Sequence, residues 1–177
     1  HKLGRDGVEF GRKGGKKVEI DGEPVKKLGD LLGRFPMVCL SSRDFRLVRE
    51  GPSDRRKWMD LILSSTNSNY LSALQNYYRS MRERNTLLKK QSGDSEILAF
   101  EYILAASAQS LHLHRTKLFP FLNQSYEHAY AGLSGQQESA SLSYSPDCSF
   151  SEVDDWLKMY SEERQRDRLL GSTRRGP

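Results

Sequence analysis

The amino-acid sequence predicts an α+β chain in which a partial antiparallel sheet over residues 1–40 precedes a mainly helical lobe over residues 41–177. Two observations predict it. Apolar residues recur two apart at Val8 and Phe10, and again at Val18 and Ile20, on either side of Gly11-Arg12-Lys13-Gly14-Gly15. That alternation about a glycine-rich turn is the pattern of a half-buried hairpin. From Pro52 onward the apolar residues return every three or four positions, the period of an amphipathic helix.

Each element follows from local chemistry. Asp21-Gly22 ends the second strand in a tight turn, residues 25–32 read as a short helix, and Phe35-Pro36-Met37-Val38-Cys39-Leu40 reads as a buried strand. Ser41-Ser42-Arg43-Asp44 then supplies helix-capping side chains. In the first long helix Trp58, Leu61 and Ile62 share a face, and Ser64 to Asn69 forms a polar break. The second helix carries Tyr70, Leu71, Leu74, Tyr77, Tyr78, Met81, Asn85 and Leu88. A third runs from about Glu96 toward Tyr130, with a bend expected at Pro120 because proline removes a backbone donor. A short strand is expected near residues 140–144, where Ala140, Leu142 and Tyr144 alternate, and a last helix turns Val153, Trp156, Leu157 and Tyr160 inward behind Glu152.

The hydrophobic share of 36% against 29% charged fits a globular chain with apolar faces and no long apolar runs. Ile97 to Ala108, interrupted by Glu101, falls well short of the roughly 20 residues that span a bilayer, so no membrane segment and a cytoplasmic location are expected. There is neither an initiating Met nor a secretory leader pattern, and Gly176-Pro177 makes a poor domain ending, so the sequence reads as cut at both ends. Cys39 and Cys148, far apart and in unlike surroundings, read as reduced thiols. A net charge of +5 tilts partner choice modestly toward a polyanion.

Several chemical readings fail on spacing. Gly14-Gly15-Lys16-Lys17 lacks the Ser or Thr and the helix start of a phosphate-binding loop, and reads as a hairpin turn with solvated lysines. His112 and His114 are two apart on a helix and diverge; with His128 they complete no zinc spacing. No nucleophile elbow accompanies the many serines. No catalytic, cofactor-binding or metal-binding residue is therefore assigned. Among the aromatics interleaved with Arg79, Arg82 and Arg84, Tyr70 and Tyr77 are expected to pack inward, leaving the arginines as contact candidates.

The segment Leu47-Val48-Arg49-Glu50-Gly51-Pro52-Ser53-Asp54-Arg55-Arg56-Lys57-Trp58-Met59-Asp60 is different in kind. It sets paired arginines in the first turn of a helix, where the dipole disfavours positive charge. In that pattern of Leu-Val, Gly-Pro, two residues, Arg-Arg, one residue, aromatic, apolar and Asp, the segment resembles the motif of the RecF family. Tyr70, Leu74 and Tyr77 leading to Arg84-Asn85 and Leu87-Leu88, the pair Leu142 and Tyr144, and Asp167 followed by Gly171-Ser172-Thr173 and Gly176-Pro177 are similar to later family elements in order and spacing. Ser42, Arg43 and Glu50 depart from the family's usual Pro, acidic residue and Gly.

The resemblance covers nearly the whole chain and implies an internal piece of an ABC-type, SMC-like ATPase head, with its phosphate-binding loop upstream of His1 and its signature loop and acidic metal-binding strand downstream of Pro177. It implies ATP and Mg²⁺ in the intact parent, a slow DNA-stimulated ATPase, and neither cofactor nor activity for this stretch alone. Also implied are DNA, single-stranded or as gapped duplex, partners of the RecO and RecR type that help load RecA, an ATP-bound homodimer, and a role in replication-linked recombinational repair and the SOS response. The residues expected to touch nucleic acid or the neighbouring lobe are Arg55 and Arg56 first, then Arg82, Arg84, Arg115 and Lys117. A helical protein-interaction module of a repair complex, without DNA contact, is the competing reading; a continuous basic strip separates the first from the second, which needs an exposed apolar patch.

Overall fold

The computed structural model describes residues 7–10, 16–20, 23–25 and 41–177. The helix expected at 25–32, the strand at 35–40 and Cys39 lie outside the described residues, apart from Val25. The chain divides into two compact units, His1–Asn67 and Ser68–Pro177.

In the first unit, strands β1 (Gly7–Phe10), β2 (Lys16–Ile20) and β3 (Glu23–Pro24) form an antiparallel sheet in the order β1-β2-β3. Val8 pairs with Val18 and Ile20 with Glu23, as the two-residue alternation predicts. Ser41 begins a 3₁₀ turn over Ser42–Phe45: its hydroxyl and its backbone N–H both donate to the Asp44 carboxylate, at 3.1 and 2.5 Å. The carboxylate accepting the Ser41 N–H is one half of a capping box; the hydroxyl donates to the same oxygen and so caps no helix N–H through it. Helix α1 (Arg46–Arg49) follows, and α2 (Pro52–Thr66) starts on Pro52, whose fixed φ suits a first helical position and whose missing N–H needs no partner there.

The buried face of α2 is not the expected one. Met59, Asp60, Leu63 and Ser64 are buried, whereas Leu61 is 65% exposed. The polar run from Ser64 also fails to break the helix until Asn67. Serine hydroxyls can return to a carbonyl one turn back, as Ser65 does to Ile62 at 2.8 Å, so a serine-rich stretch continues a helix when one side is covered.

The second unit is three packed helices, α3 (Ser68–Lys89), α4 (Asp94–Ser134) and α5 (Val153–Leu170). Tyr70, Tyr77 and Leu88 from α3 are buried, as are Ile97, Leu104, Ala105, Ala108 and Leu111 from α4, and Trp156, Met159 and Tyr160 from α5. Ala105, Ser107 and Ala108 are small, which lets the helices approach closely. Helix α4 continues through Pro120 for 41 residues, ~60 Å at 1.5 Å per residue, and none of its residues beyond Arg115 is buried.

The expected strand at 140–144 is absent; these residues lie alongside the outer part of α4 without joining a ladder. The Leu142 N–H donates to Asn123 Oδ1 at 2.6 Å, and the Tyr144 ring sits against Phe119 and His112 at centroid distances of 5.3 and 5.9 Å. Alternating apolar residues here match a helix surface instead of a sheet. Gln109 Nε2 donates to the Ser151 carbonyl at 2.6 Å, and Trp156 Nε1 to the Phe150 carbonyl at 2.9 Å, fixing the approach to α5.

Candidate functional site

The densest chemistry among the described residues is a buried ionic cluster joining α3, α4 and α5. Arg84 is at its centre and is fully buried. Its Nε donates to Glu101 Oε1 at 3.0 Å, its Nη1 to Asp167 Oδ2 at 2.7 Å and Thr173 Oγ1 at 2.8 Å, and its Nη2 to the Tyr160 carbonyl at 3.0 Å. Nη2 also lies 3.0 Å from Glu101 Oε1. Four hydrogen bonds and this ion-pair contact thus surround the guanidinium, and the Tyr160 ring lies 5.6 Å from the guanidinium carbon.

The cluster continues outward. Arg164 donates through Nε and Nη2 to the two Glu101 oxygens, and reaches Asp94 from Nη1 at 3.0 Å. Arg168 Nη2 meets the other Asp94 oxygen at 2.6 Å. Arg84, Arg164 and Arg168 face Glu101, Asp167 and Asp94, so charges balance. The Arg168 hydrogen bond holds the Asp94 carboxyl below its ordinary value, and the Glu101 hydrogen bonds raise Arg164 further above its own.

The stretch after α5 is fastened to this cluster. Gly171 has φ +64° and closes α5, with Ser172 N–H donating to the Asp167 carbonyl at 3.2 Å and Gly171 N–H to the Arg168 carbonyl at 3.3 Å. A left-handed residue with these two bonds is the common glycine-ended helix stop. Thr173 then donates to Asn85 Oδ1 through its N–H at 2.7 Å and its hydroxyl at 2.8 Å, and Arg174 N–H to Asp167 Oδ1 at 3.3 Å. Farther along, a Cβ on Gly176 would lie 2.2 Å from the Tyr77 hydroxyl oxygen, so only glycine fits. Burial pushes the Tyr77 phenol up to about 12 and also raises that of Tyr160.

This geometry sorts the candidate residues. Arg84 is consumed by its carboxylates and presents nothing to an external phosphate. Arg115 is also buried, its Nε donating to the Tyr70 hydroxyl at 3.0 Å. Arg82 and Lys117 are exposed, on α3 and on the outer part of α4. Arg55 and Arg56 are exposed in the first unit. Arg55 Nη1 donates to the Glu50 and Leu47 carbonyls at 3.0 and 3.4 Å, so it satisfies acceptors at the end of α1. That contact answers why a cation tolerates the start of α2.

Sequence reasoning gave no site role to Glu101, Asp167, Arg164, Asp94 or Thr173. A signal existed for one of them, and for its pairing with Arg84. Glu101 interrupts the apolar stripe four residues after Ile97 and three before Leu104, and Arg84 stands seven after Tyr77 and four before Leu88. A carboxylate and a guanidinium in the inward register of neighbouring helices are a pair waiting to be matched.

Lys16 and Lys17 lie within β2, paired with Phe10 and Glu9, and open no helix whose N–H groups could converge on a phosphate. No group of three or more His, Cys, Asp or Glu among the described residues could hold a metal ion. No described helix is long and apolar enough to cross a membrane.

No family model matches the chain. Curated relatives described as DNA replication and repair protein RecF do. The one from Trichlorobacter lovleyi is 31% identical over 166 residues, covering 92% of this chain and 45% of the relative. That from Parabacteroides distasonis is 33% identical over 162 residues, 91% of this chain and 44% of the relative. The chain thus spans about half the length of the curated relatives it matches. Among solved structures, the recombination mediator protein RecF-ATP in the RecFOR pathway is 25% identical with a TM-score of 0.85 over 96% of this chain and 48% of that one. The RecF-ATPrS structure gives 0.86 over 97% and 49%. Similarity of sequence along nine-tenths of the chain, joined to a shared α+β fold, places this chain in the RecF family.

Proposed function

We propose that this chain is the helical lobe, residues 41–177, with an adjoining piece of the nucleotide lobe, residues 1–40, of a DNA-binding ATPase that acts in recombinational gap repair and the SOS response. The observation that carries the reading is the superposition of nearly the whole chain on RecF bound to ATP. In the longer protein, ATP and Mg²⁺ would be held by residues other than those described here, and the ATP-bound form would dimerise. Single-stranded and gapped duplex DNA, and mediator proteins of the RecO and RecR type, are the partners this reading assigns. Hydrolysis would be slow and stimulated by DNA, and the location cytoplasmic.

Within this chain the exposed cations, Arg56, Arg82 and Lys117 among the expected residues, are the ones free to face a phosphate backbone. A second reading, docking of a repair protein, is favoured by a groove between α3 and α4 where Tyr102 and Ile103 are 55% and 48% exposed beside Ala73 and Ala106. Binding of the chain to labelled single-stranded and gapped duplex DNA across a salt series tests the first. Binding that weakens with salt, and weakens further in Arg55→Ala/Arg56→Ala without loss of fold, is expected. A folded chain that binds neither DNA at low salt rejects autonomous DNA binding and leaves the docking reading.

A further inference from the structure

Helix α3 gathers its exposed basic residues on one face. Helix α3 buries Tyr70, Tyr77, Arg84 and Leu88. At 100° per residue, Gln75, Arg79, Arg82, Thr86, Lys89 and Lys90 fall opposite that face, within an arc of about 100°. All six are exposed. Glu83 is the only acidic residue on α3, against four basic residues on this strip counting Lys90 just past its end. The exposed face of α5, by contrast, is mixed, with Asp154, Asp155 and Glu162 beside Lys158 and Arg166.

The four cations are not explained by neighbours. Within the described residues Arg79, Arg82, Lys89 and Lys90 have no carboxylate partner. Arg82 Nε donates to the Tyr78 carbonyl at 3.3 Å, which leaves its two terminal nitrogens for other acceptors. The negative end of the helix dipole accounts for Lys89 and Lys90 in the last turn. It does not account for Arg79 and Arg82 in the middle of the helix. From Arg79 to Lys90 is about 16 Å along the axis at 1.5 Å per residue. That is the axial length of roughly five phosphates of one strand at 3.4 Å per nucleotide.

We propose that the outer face of α3, through Arg79, Arg82, Lys89 and Lys90, is a phosphate-tracking surface that lies along the backbone of a DNA strand. The proposal rests on the DNA-binding reading above and moves the contact away from Arg84 and Arg115. With base edges untouched by such a strip, the contact is independent of sequence. Gln75, one turn before Arg79 on the same face, offers a neutral amide donor to the same oxygens.

The test uses the full chain and its Arg79→Gln/Arg82→Gln/Lys89→Gln/Lys90→Gln variant, which removes four charges, keeps polar side chains and touches no buried group. Equilibrium binding to a labelled single-stranded oligonucleotide and to a duplex is measured between about 50 and 200 mM salt. Loss of four phosphate contacts is expected to flatten the slope of log affinity against log salt by ~3 and to weaken binding at the lowest salt by ~100-fold. Arg79→Lys/Arg82→Lys, which keeps the charge, is expected to retain the slope. Lys158→Gln/Arg166→Gln removes positive charge elsewhere on the same unit and is expected to change affinity only slightly.

Unchanged binding by the four-position variant, while the parent chain binds, overturns the strip and leaves the DNA reading standing. An equal loss per charge from the Lys158 and Arg166 changes also overturns it, since net charge would then be the cause. A parent chain that binds no DNA removes the DNA reading and the strip with it. Circular dichroism and thermal unfolding confirm that each variant is folded before its binding is compared.

Discussion

Arg84 and Asp167 lie 83 positions apart in the sequence and 2.7 Å apart in the fold, both fully buried. The pair holds α3 to α5, and Glu101 brings α4 to the same guanidinium. Taking such charges out of water costs several kcal/mol each, which the mutual attraction offsets only while every hydrogen-bonding site is filled. Replacing Arg84 alone should therefore cost more than a cavity does, because Asp167 is left charged and buried with only an N–H from Arg174.

Arg84→Met is expected to lower stability by about 3–5 kcal/mol in urea unfolding. Arg84→Lys should recover little of that, since an ammonium has three donors on one centre and cannot span Glu101, Asp167 and the Tyr160 carbonyl together. A loss below about 1 kcal/mol for Arg84→Met would mean that the cluster is a passive filling of the bundle centre.

The cluster also marks what the sequence could and could not announce. The long helices were legible because Tyr70, Tyr77, Leu88, Ile97, Leu104 and Trp156 recur in register, and burial of such a stripe is local information. The RecF resemblance was legible from Gly51-Pro52 and Arg55-Arg56, a pattern contained in one short segment. Arg84 was misassigned to the surface because a single helix does not say which partner it meets; Glu101 and Asp167 come from two other helices. Leu142 and Tyr144 read as a strand for a related reason: alternation specifies a two-sided backbone, but the covering surface here is α4, and among the described residues no second strand pairs with it.

Asn85 Oδ1 accepts both the N–H and the hydroxyl of Thr173, which ties the chain after α5 to α3. The Thr173 amide should then exchange slowly with solvent although the residue follows a helix end. In Asn85→Ala its protection is expected to fall selectively, while amides in the centre of α5 keep theirs. Thr173→Val removes the hydroxyl from Arg84 as well and should cost ~1–3 kcal/mol, the range for leaving a buried donor unsatisfied. Equal loss of protection throughout α5 would show that the two residues report global unfolding and no local fastening.

The adjacent arginines of α2 should behave differently. Arg55 bonds two carbonyls at the end of α1, whereas Arg56 has no such bond among the described residues. Arg55→Ala is expected to cost ~0.5–1.5 kcal/mol, the net worth of an ordinary hydrogen bond, and Arg56→Ala to stay within ~0.5 kcal/mol. Thermal unfolding of the two single variants checks the order. If Arg56→Ala is the more destabilising, the carbonyl contacts of Arg55 do not explain the pair.

His112 gives the chain a pH dependence near neutrality. It is buried on α4 with its ring against Tyr144 and Trp156, its Nε2 is 3.4 Å from Ser149 Oγ, and its Nδ1 has no hydrogen-bond partner. Burial first, and the Arg115 charge second, hold its pKa below the ordinary 6.5. The folded state therefore resists a proton that the unfolded chain accepts. Stability is fully present above about pH 6.5 and declines as the pH falls from there toward the lower folded-state value. Asp94, also depressed, acts in a separate window, because its contribution declines only below its ordinary 3.8. The melting temperature is accordingly expected to drop between pH 7.5 and 5, and His112→Phe, which keeps an aromatic ring beside Trp156 but has nothing to protonate, should flatten that drop. Parallel melting curves for the two proteins over this range would show that another group governs the response.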